Sequence, residues 1–294
     1  MPTQAINGIP IAYETFGPAE SRPLVMIQGL ATSMTAWPAA FTGLLTAAGH
    51  RVVCFDNRDT GWSGKIEAAG IPDLEALMKN EARPPYTLSD MAADTLGLMD
   101  FLEIERAHVC GVSMGGMIAQ TMAIEHPDRV TGLILMMSTT GEPDLPASSD
   151  RVRQAMMSMP PGTRAEYQNY LVELMRVFAD DSDQYDAQVQ HRQAGLAFDH
   201  GLYPAGLFRQ LAAIIASGGR RERLRQVRVP TLVIHGDRDA VIPLAHGRDI
   251  TTAIPGARLL VVPGLGHGLA FPRLWPQIAE AICAHTTAAE AGVK

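Results

Sequence analysis

Three compact apolar runs recur along the first part of the chain, PLVMIQG (23–29), RVVCFD (51–56) and AHVCGVS (107–113), with helix-like segments between them. Runs that are apolar at successive positions suit strands covered on both faces. Strands of that kind, alternating with helices, demand a mostly parallel central sheet flanked by helices, because parallel neighbours need a crossover between them. TGLILMMS (131–138), PTLVIHG (230–236) and ARLLVVPG (257–264) extend the pattern, and FPRLWPQIAEAICAHT (271–286) predicts a closing helix. Ahead of the first run, Asn7-Gly8 separates TQAI from IPIAYETF, the signal for a two-residue hairpin, so the sheet is expected to open with antiparallel strands. Thr87 and Asp90 are spaced as a capping box for a helix running to Leu102.

The strand pattern lapses from about Glu142 to Gly218. Amphipathic stretches such as AEYQNYLVELMRVFA and YPAGLFRQLAAIIA replace it. The division this predicts is a core made of residues 1–141 and 219–294, interrupted by a helical cap over 142–218. A chain of 294 residues with 47% hydrophobic and 19% charged residues can bury a core of that size.

A formal net charge of −7 argues against a nucleic-acid-binding surface, which needs a basic face. The one basic cluster, RRERLRQVR (220–228), reads as a solvated helix face leading into a strand. No stretch offers 18 uncharged apolar residues, and the first residues lack the basic flank and apolar core of a secretion signal, so a cytoplasmic protein without a membrane span is expected. Three cysteines cannot all pair, and Cys54 and Cys110 fall inside apolar strand-like runs, where a thiol is usually a small buried hydrophobe. No disulfide framework, metal site or cofactor is indicated.

GVSMG, Gly111 to Gly115, matches G-x-S-x-G, with an apolar strand before it and the helical MGGMIAQTMAIEH after it. A serine on a strained strand-to-helix turn projects its oxygen from the sheet edge, so Ser113 is the expected nucleophile. It needs a base brought from elsewhere in the fold. Among the nine histidines, His50, His108 and His126 lie at junctions that suit structural roles, and His285 lies near a helix end. His191 and His200 fall in the cap without a signal of their own. His267 stands in PGLGHG directly after the last strand-like run, where glycines can present an imidazole over the sheet edge. Two aspartates, Asp237 and Asp239 in HGDRD, could serve such a histidine, and alternation cannot choose between residues two apart.

These segments together resemble an α/β-hydrolase, and the likeness covers essentially the whole expected core. FDNRDTGWS (55–63) resembles that family's D-x-R-G-x-G-x-S loop, with Asp59 in place of glycine; together with PTLVIHGDRD and PGLGHG it is similar to aclacinomycin methylesterase-like hydrolases and bacterial esterases. The resemblance implies an α/β-hydrolase fold and the chain order nucleophile, acid, histidine. Ser113, Asp239 and His267 fit that order, which leaves Asp237 as a turn-former. It also implies an oxyanion hole made by the backbone N–H groups of Leu30 and Met114, in a loop where Gln28 stands in place of the family's histidine.

The reaction class expected is carboxyl-ester hydrolysis through an acyl-enzyme on a small-molecule apolar or methyl ester. Cofactor-free perhydrolase (haloperoxidase), enol-lactonase, thioesterase and C–C hydrolase chemistry use the same three residues and stay open, as does a non-catalytic ligand-binding role. An alkyl-enzyme ester, as in dehalogenases and epoxide hydrolases, is not expected, because those relatives carry aspartate where this chain has Ser113. Met156, Met157, Met159, Tyr167, Tyr170, Leu171, Phe178, Tyr203 and Phe208 are candidates to line the inner face of the cap, where methionine-rich surfaces adapt to bulky apolar groups.

Overall fold

The computed structural model describes residues 1–156 and 158–291. Eight strands form one sheet: β1 (Thr3–Ile6), β2 (Ile9–Phe16), β3 (Arg22–Ile27), β4 (His50–Phe55), β5 (Ala107–Val112), β6 (Val130–Met136), β7 (Thr231–Gly236) and β8 (Arg258–Val262). Their spatial order is β1-β2-β4-β3-β5-β6-β7-β8, with antiparallel pairing from β1 to β4 and parallel pairing beyond. This is the α/β-hydrolase arrangement. The β1–β2 hairpin turns at Asn7 and Gly8, both at positive φ (49° and 81°), as a two-residue turn of that kind requires.

The helices are α1 (Ala39–Ala47), α2 (Leu74–Met78), α3 (Leu88–Phe101), α4 (Met114–Glu125), α5 (Asp150–Met156), α6 (Arg164–Phe178), α7 (Ala187–Asp199), α8 (Pro204–Ser217), α9 (Arg221–Leu224), α10 (Leu244–Ala253) and α11 (Trp275–Ala291). Helix α3 begins with the Thr87–Asp90 capping box expected of it. Alternate residues of the strands feed two apolar layers. Val25, Ile27, Val53 and Val109 pack with residues of α3, α4 and α10, while Leu24, Met26, Val52 and Cys110 pack with residues of α1 and α11. Both faces of the central strands are therefore dry, which is why these runs carry no polar alternation. Burial pushes the Cys110 thiol up to about 12, so it behaves as a packing group.

Between β6 and β7 the chain is helical, α5 to α9, and a buried ion pair and a buried histidine–carboxylate hydrogen bond tie this stretch to the loop after β4. Arg209 on α8 grips Asp59 through two hydrogen bonds of 2.8 Å, and Tyr86 donates to the same carboxylate at 2.8 Å. His200 lies 2.7 Å from Asp56 and stacks on Trp62. Removing one partner of the Arg209–Asp59 pair leaves an uncompensated buried charge, which costs about 3–5 kcal/mol. Asp59 keeps the positive φ (66°) that suits the glycine usual at this position, and its carboxylate answers the Arg209 guanidinium.

The basic cluster departs from its expected solvated face. Helix α9 is one turn long, and Arg220, only 2% exposed, donates to Gln120 Oε1 and Thr139 O; burial pushes it down to about 10. Arg221 pairs with Asp144 and Asp249. These partners are distant in sequence, so charge periodicity could not reveal them. Arg223, Arg225 and Arg228 do face solvent.

At the N-terminal ends of β4 and β5, α11 packs beside His50 and His108 and itself carries a third buried histidine, His285. His50 contacts Thr286 Oγ1 at 2.9 Å, His108 lies 3.5 Å from Glu290, and His285 is 3% exposed. Burial lowers His50 and pushes His108 and His285 down to about 4. The folded state therefore holds them neutral, whereas the unfolded chain takes up protons below about pH 6.5. Their contribution is fully present above that pH and is lost as pH falls from about 6.5 towards 4. Urea midpoints should drop across this interval by the equivalent of a few kcal/mol, and His285→Gln should flatten the slope. A flat profile would contradict neutral burial.

Candidate active site

Five consecutive residues at the end of β5 build the sharpest feature of the fold. Ser113 adopts φ 55° and ψ −117°, a conformation a non-glycine residue holds only when its surroundings force it. The flanking glycines make the turn sterically feasible. A Cβ at Gly111 would lie 2.1 Å from Gly115 O, one at Gly115 would lie 2.1 Å from Ile27 O, and one at Gly116 would meet Ser138 at 2.6 Å. Ser113 N–H donates to Met136 O (2.9 Å) and Ser138 Oγ donates to Ser113 O (2.8 Å), which fix the turn from the β6 side. Strain of this kind costs on the order of 1–3 kcal/mol and persists because the neighbouring contacts over-determine it.

The β3–α1 loop runs against this serine. A Cβ at Gly29 would lie 3.2 Å from Ser113 Cβ. Asn57 Nδ2 donates to Gln28 O (3.1 Å), and the Ala31 N–H, at positive φ (52°), donates to Gln210 Oε1 (2.7 Å). The loop is thus held from the core by Asn57 and from α8 by Gln210, while among the described residues Gln28 Oε1 accepts only from its neighbour, Gly29 N–H (3.3 Å). Among the described residues, the N–H groups of Leu30 and Met114 donate to no acceptor. Met114 is the first residue of α4, where orphan amides and the helix dipole favour a negative charge.

The β7 turn and the loop after β8 are joined side to side. A Cβ at Gly236 would lie 1.8 Å from Leu265 O, so only glycine allows this approach. Arg238 N–H donates to Leu265 O (3.1 Å) and Gly264 N–H donates to Asp237 Oδ1 (2.7 Å). Asp239, 6% exposed, receives Val241 and Ile242 N–H on Oδ1 (3.0 and 2.8 Å) and meets His267 Nδ1 with Oδ2 (2.9 Å). The carboxylate thus occupies one ring nitrogen and leaves Nε2 for another partner. Asp237 does shape the turn, but its bond reaches across 27 residues rather than to its own neighbours.

His267 is further braced by its own N–H to Phe178 O (3.1 Å), with the Phe178 ring edge-on at 6.5 Å. Gly268 N–H meets Met137 Sδ (3.4 Å), and Met137 follows the strand whose Met136 O holds Ser113. The three elements carrying Ser113, Asp239 and His267 therefore converge at the C-terminal ends of β5, β7 and β8. Among the described residues Ser113 Oγ has no hydrogen-bond partner, and such contacts tighten on substrate binding in many hydrolases.

The candidate pocket residues divide. Phe178 sits beside His267. Tyr203 contacts Arg209 through its hydroxyl (2.9 Å), Tyr167 packs on Phe198 and Tyr170, and Phe208 and Leu171 are half-buried. Met156 and Met159 are 43% and 70% exposed and the Tyr170 hydroxyl donates to Ser158 O, so this stretch before α6 is not enclosed against the serine. Met157 lies outside the described residues. Sequence reasoning missed Met137, Met175, whose Cε lies 2.6 Å from where a Cβ at Gly268 would stand, and the loop-bracing Gln210. Gln210 lay in an amphipathic stretch where only a polar residue on the buried face could have betrayed it.

The chain matches the α/β-hydrolase fold family over residues 22–273 and belongs to it. It is a hydrolase. It is 31% identical over 98% of its length, and 99% of the relative's, to the rhodomycin D methylesterase DnrP of Streptomyces peucetius. Two solved structures share the fold: the enol-lactonase from Burkholderia xenovorans LB400 (TM-score 0.71, 23% identity, 97% of this chain and 100% of that one) and the 2-hydroxy-6-oxo-6-phenylhexa-2,4-dienoate hydrolase from Rhodococcus sp. strain RHA1 (TM-score 0.75, 20% identity, 96% of each chain). No described helix is long and apolar enough to cross a membrane.

Proposed function

We propose that the protein is a serine carboxyl-ester hydrolase acting on small-molecule esters with a bulky apolar acyl part, methyl esters among them. The observation that carries this reading is the Asp239–His267 Nδ1 bond of 2.9 Å, which commits one face of the imidazole and leaves Nε2 to act on the serine at the strained elbow. Ser113 Oγ attacks the ester carbonyl as His267 Nε2 takes its proton. The C–O bond to the alkoxy group then breaks, His267 protonates the departing alcohol, and an acyl-enzyme is left on Ser113. Water, losing a proton to the same histidine, adds to the acyl carbon; the bond from that carbon to Ser113 Oγ then breaks, His267 returns the proton to Oγ, and the acid leaves. Asp239 holds the tautomer and stabilises the imidazolium in both halves.

The uncommitted Leu30 and Met114 amides are the donors for the oxyanion of each tetrahedral intermediate. A donor of this type contributes on the order of 10²–10³ in rate. The helical stretch 142–218 acts as a cap over this site, its place set by Arg209, Gln210 and His200, and Phe178 lends an apolar wall beside His267. The methylesterase named among the relatives supports the methyl-ester part of the reading. The setting is the cytoplasm expected from the sequence.

A panel of esters tests the proposal. Methyl esters of large aromatic or polycyclic acids and medium-chain p-nitrophenyl esters should be hydrolysed with higher kcat/KM than acetyl esters. Preference for acetyl esters alone would remove the bulky-acyl reading. Faster turnover of an enol-lactone or a dienoate than of any ester, or peroxide-dependent halogenation, would replace ester hydrolysis with the corresponding chemistry on the same residues.

A further inference from the structure

The acid turn has a second buried imidazole beside it that the proposed reaction does not use. His235, on β7 and fully buried, points towards α10, where a Cβ at Gly247 would lie 2.6 Å from its Nδ1. Its Nε2 lies 2.8 Å from Ile242 O and 3.5 Å from Asp239 Oδ2. A carbonyl can only accept, so Nε2 carries the proton and Nδ1 keeps its lone pair, without a partner among the described residues. Ile242 is thereby gripped at both ends: its N–H donates to Asp239 Oδ1 (2.8 Å) while its carbonyl receives His235.

We infer that His235 is a positioning residue that holds the 239–242 turn, and with it the Asp239 carboxylate, in the orientation His267 needs. The inference rests on the Ser113–His267–Asp239 reading. Three titratable groups bear on its charge state. Burial lowers the proton affinity of His235, as do the nearby His267 and His246 imidazoles, while the Asp239 carboxylate raises it; the net direction is down. Burial thus favours the neutral ring. It steadies the carboxylate without becoming a cation that would compete with His267 for Oδ2.

The test uses the full chain and a p-nitrophenyl ester, with kcat, KM and the pH profile measured for His235→Leu, His235→Gln and His235→Asn. The glutamine amide extends about as far as Nε2 and keeps the donor to Ile242 O, whereas the asparagine amide stops near the Nδ1 position and leucine has no donor. Leucine and asparagine should lower kcat by about 10- to 100-fold with little change in KM. They should also shift the acid limb of kcat/KM to lower pH, because a loosened carboxylate supports the His267 imidazolium less. Glutamine should restore most of the loss. In an Asp239→Asn background, His235→Leu should add nothing further, since its effect passes through the carboxylate.

Leucine and asparagine variants with wild-type kcat and pH profile, alongside an impaired Asp239→Asn, would overturn the inference and leave the proposed function standing. A loss that glutamine does not restore and that adds fully to Asp239→Asn would assign His235 a merely structural part and overturn it equally. Retained activity in Ser113→Ala and Asp239→Asn would instead remove the proposed function, and the inference with it. Should the leucine variant fail to fold, the contrast between asparagine and glutamine decides alone.

Discussion

Ser113→Ala is expected to lower ester kcat by on the order of 10⁶, because the alanine protein keeps the Leu30 and Met114 amides but has no oxygen to acylate. The fold should survive the change, since the turn is held through the Ser113 main chain, by its N–H donating to Met136 O and its carbonyl accepting from Ser138 Oγ, neither of which uses the Ser113 side chain. Stability is predicted to change little, the strained φ of 55° being equally awkward for alanine. A kinetic assay with active-site titration and a thermal melt on the same sample separates the two effects. A fall in activity of less than about 10³ would mean that the amides and binding groups carry the rate without a serine adduct, which no acyl-enzyme account allows.

Asp239→Asn and Asp237→Asn are expected to part sharply. Asparagine at 239 still accepts the Val241 and Ile242 amides on its oxygen, but the atom facing His267 Nδ1 is no longer anionic, and the imidazole is free to take the wrong tautomer. A loss of up to on the order of 10⁴ in kcat follows. At 237 the asparagine oxygen can still receive Gly264 N–H, so turnover should stay near wild type and stability should change by about 1 kcal/mol or less. Steady-state kinetics and urea midpoints on both variants check this. The reverse pattern would show that the turn presents its first aspartate to the histidine.

The contrast between these aspartates also marks what the sequence could reveal. Alternation left Asp237 and Asp239 equivalent, and only the family likeness separated them; the structure adds the reason, a glycine at 236 that lets the turn press on Leu265 and sends the two carboxylates to different partners. The strands and the serine elbow were legible because their signals are local: consecutive apolar residues, a fixed glycine spacing, a capping box. The contacts that set the helical stretch on the core were not. Asp59 and Arg209 are 150 residues apart, and Asp56 and His200 are 144 apart, so neither residue of a pair carries a mark of its partner.

Arg220 shows the same limit from the other side, since a basic run reads as solvated until Gln120 and Thr139 are seen to enclose one of its members. His235 stands at the end of an apolar strand run, where an imidazole carries no local mark of function. Its neighbour in space, Ile242 O, lies beyond a turn whose geometry no periodicity describes.

The most direct measurement is mass spectrometry of the protein after reaction with a serine-directed fluorophosphonate. The account predicts one adduct per chain, located on the peptide that carries Ser113, absent from Ser113→Ala and formed far more slowly in His267→Ala. An active enzyme that acquires no adduct, or one modified at another residue with Ser113→Ala still labelled, would contradict it.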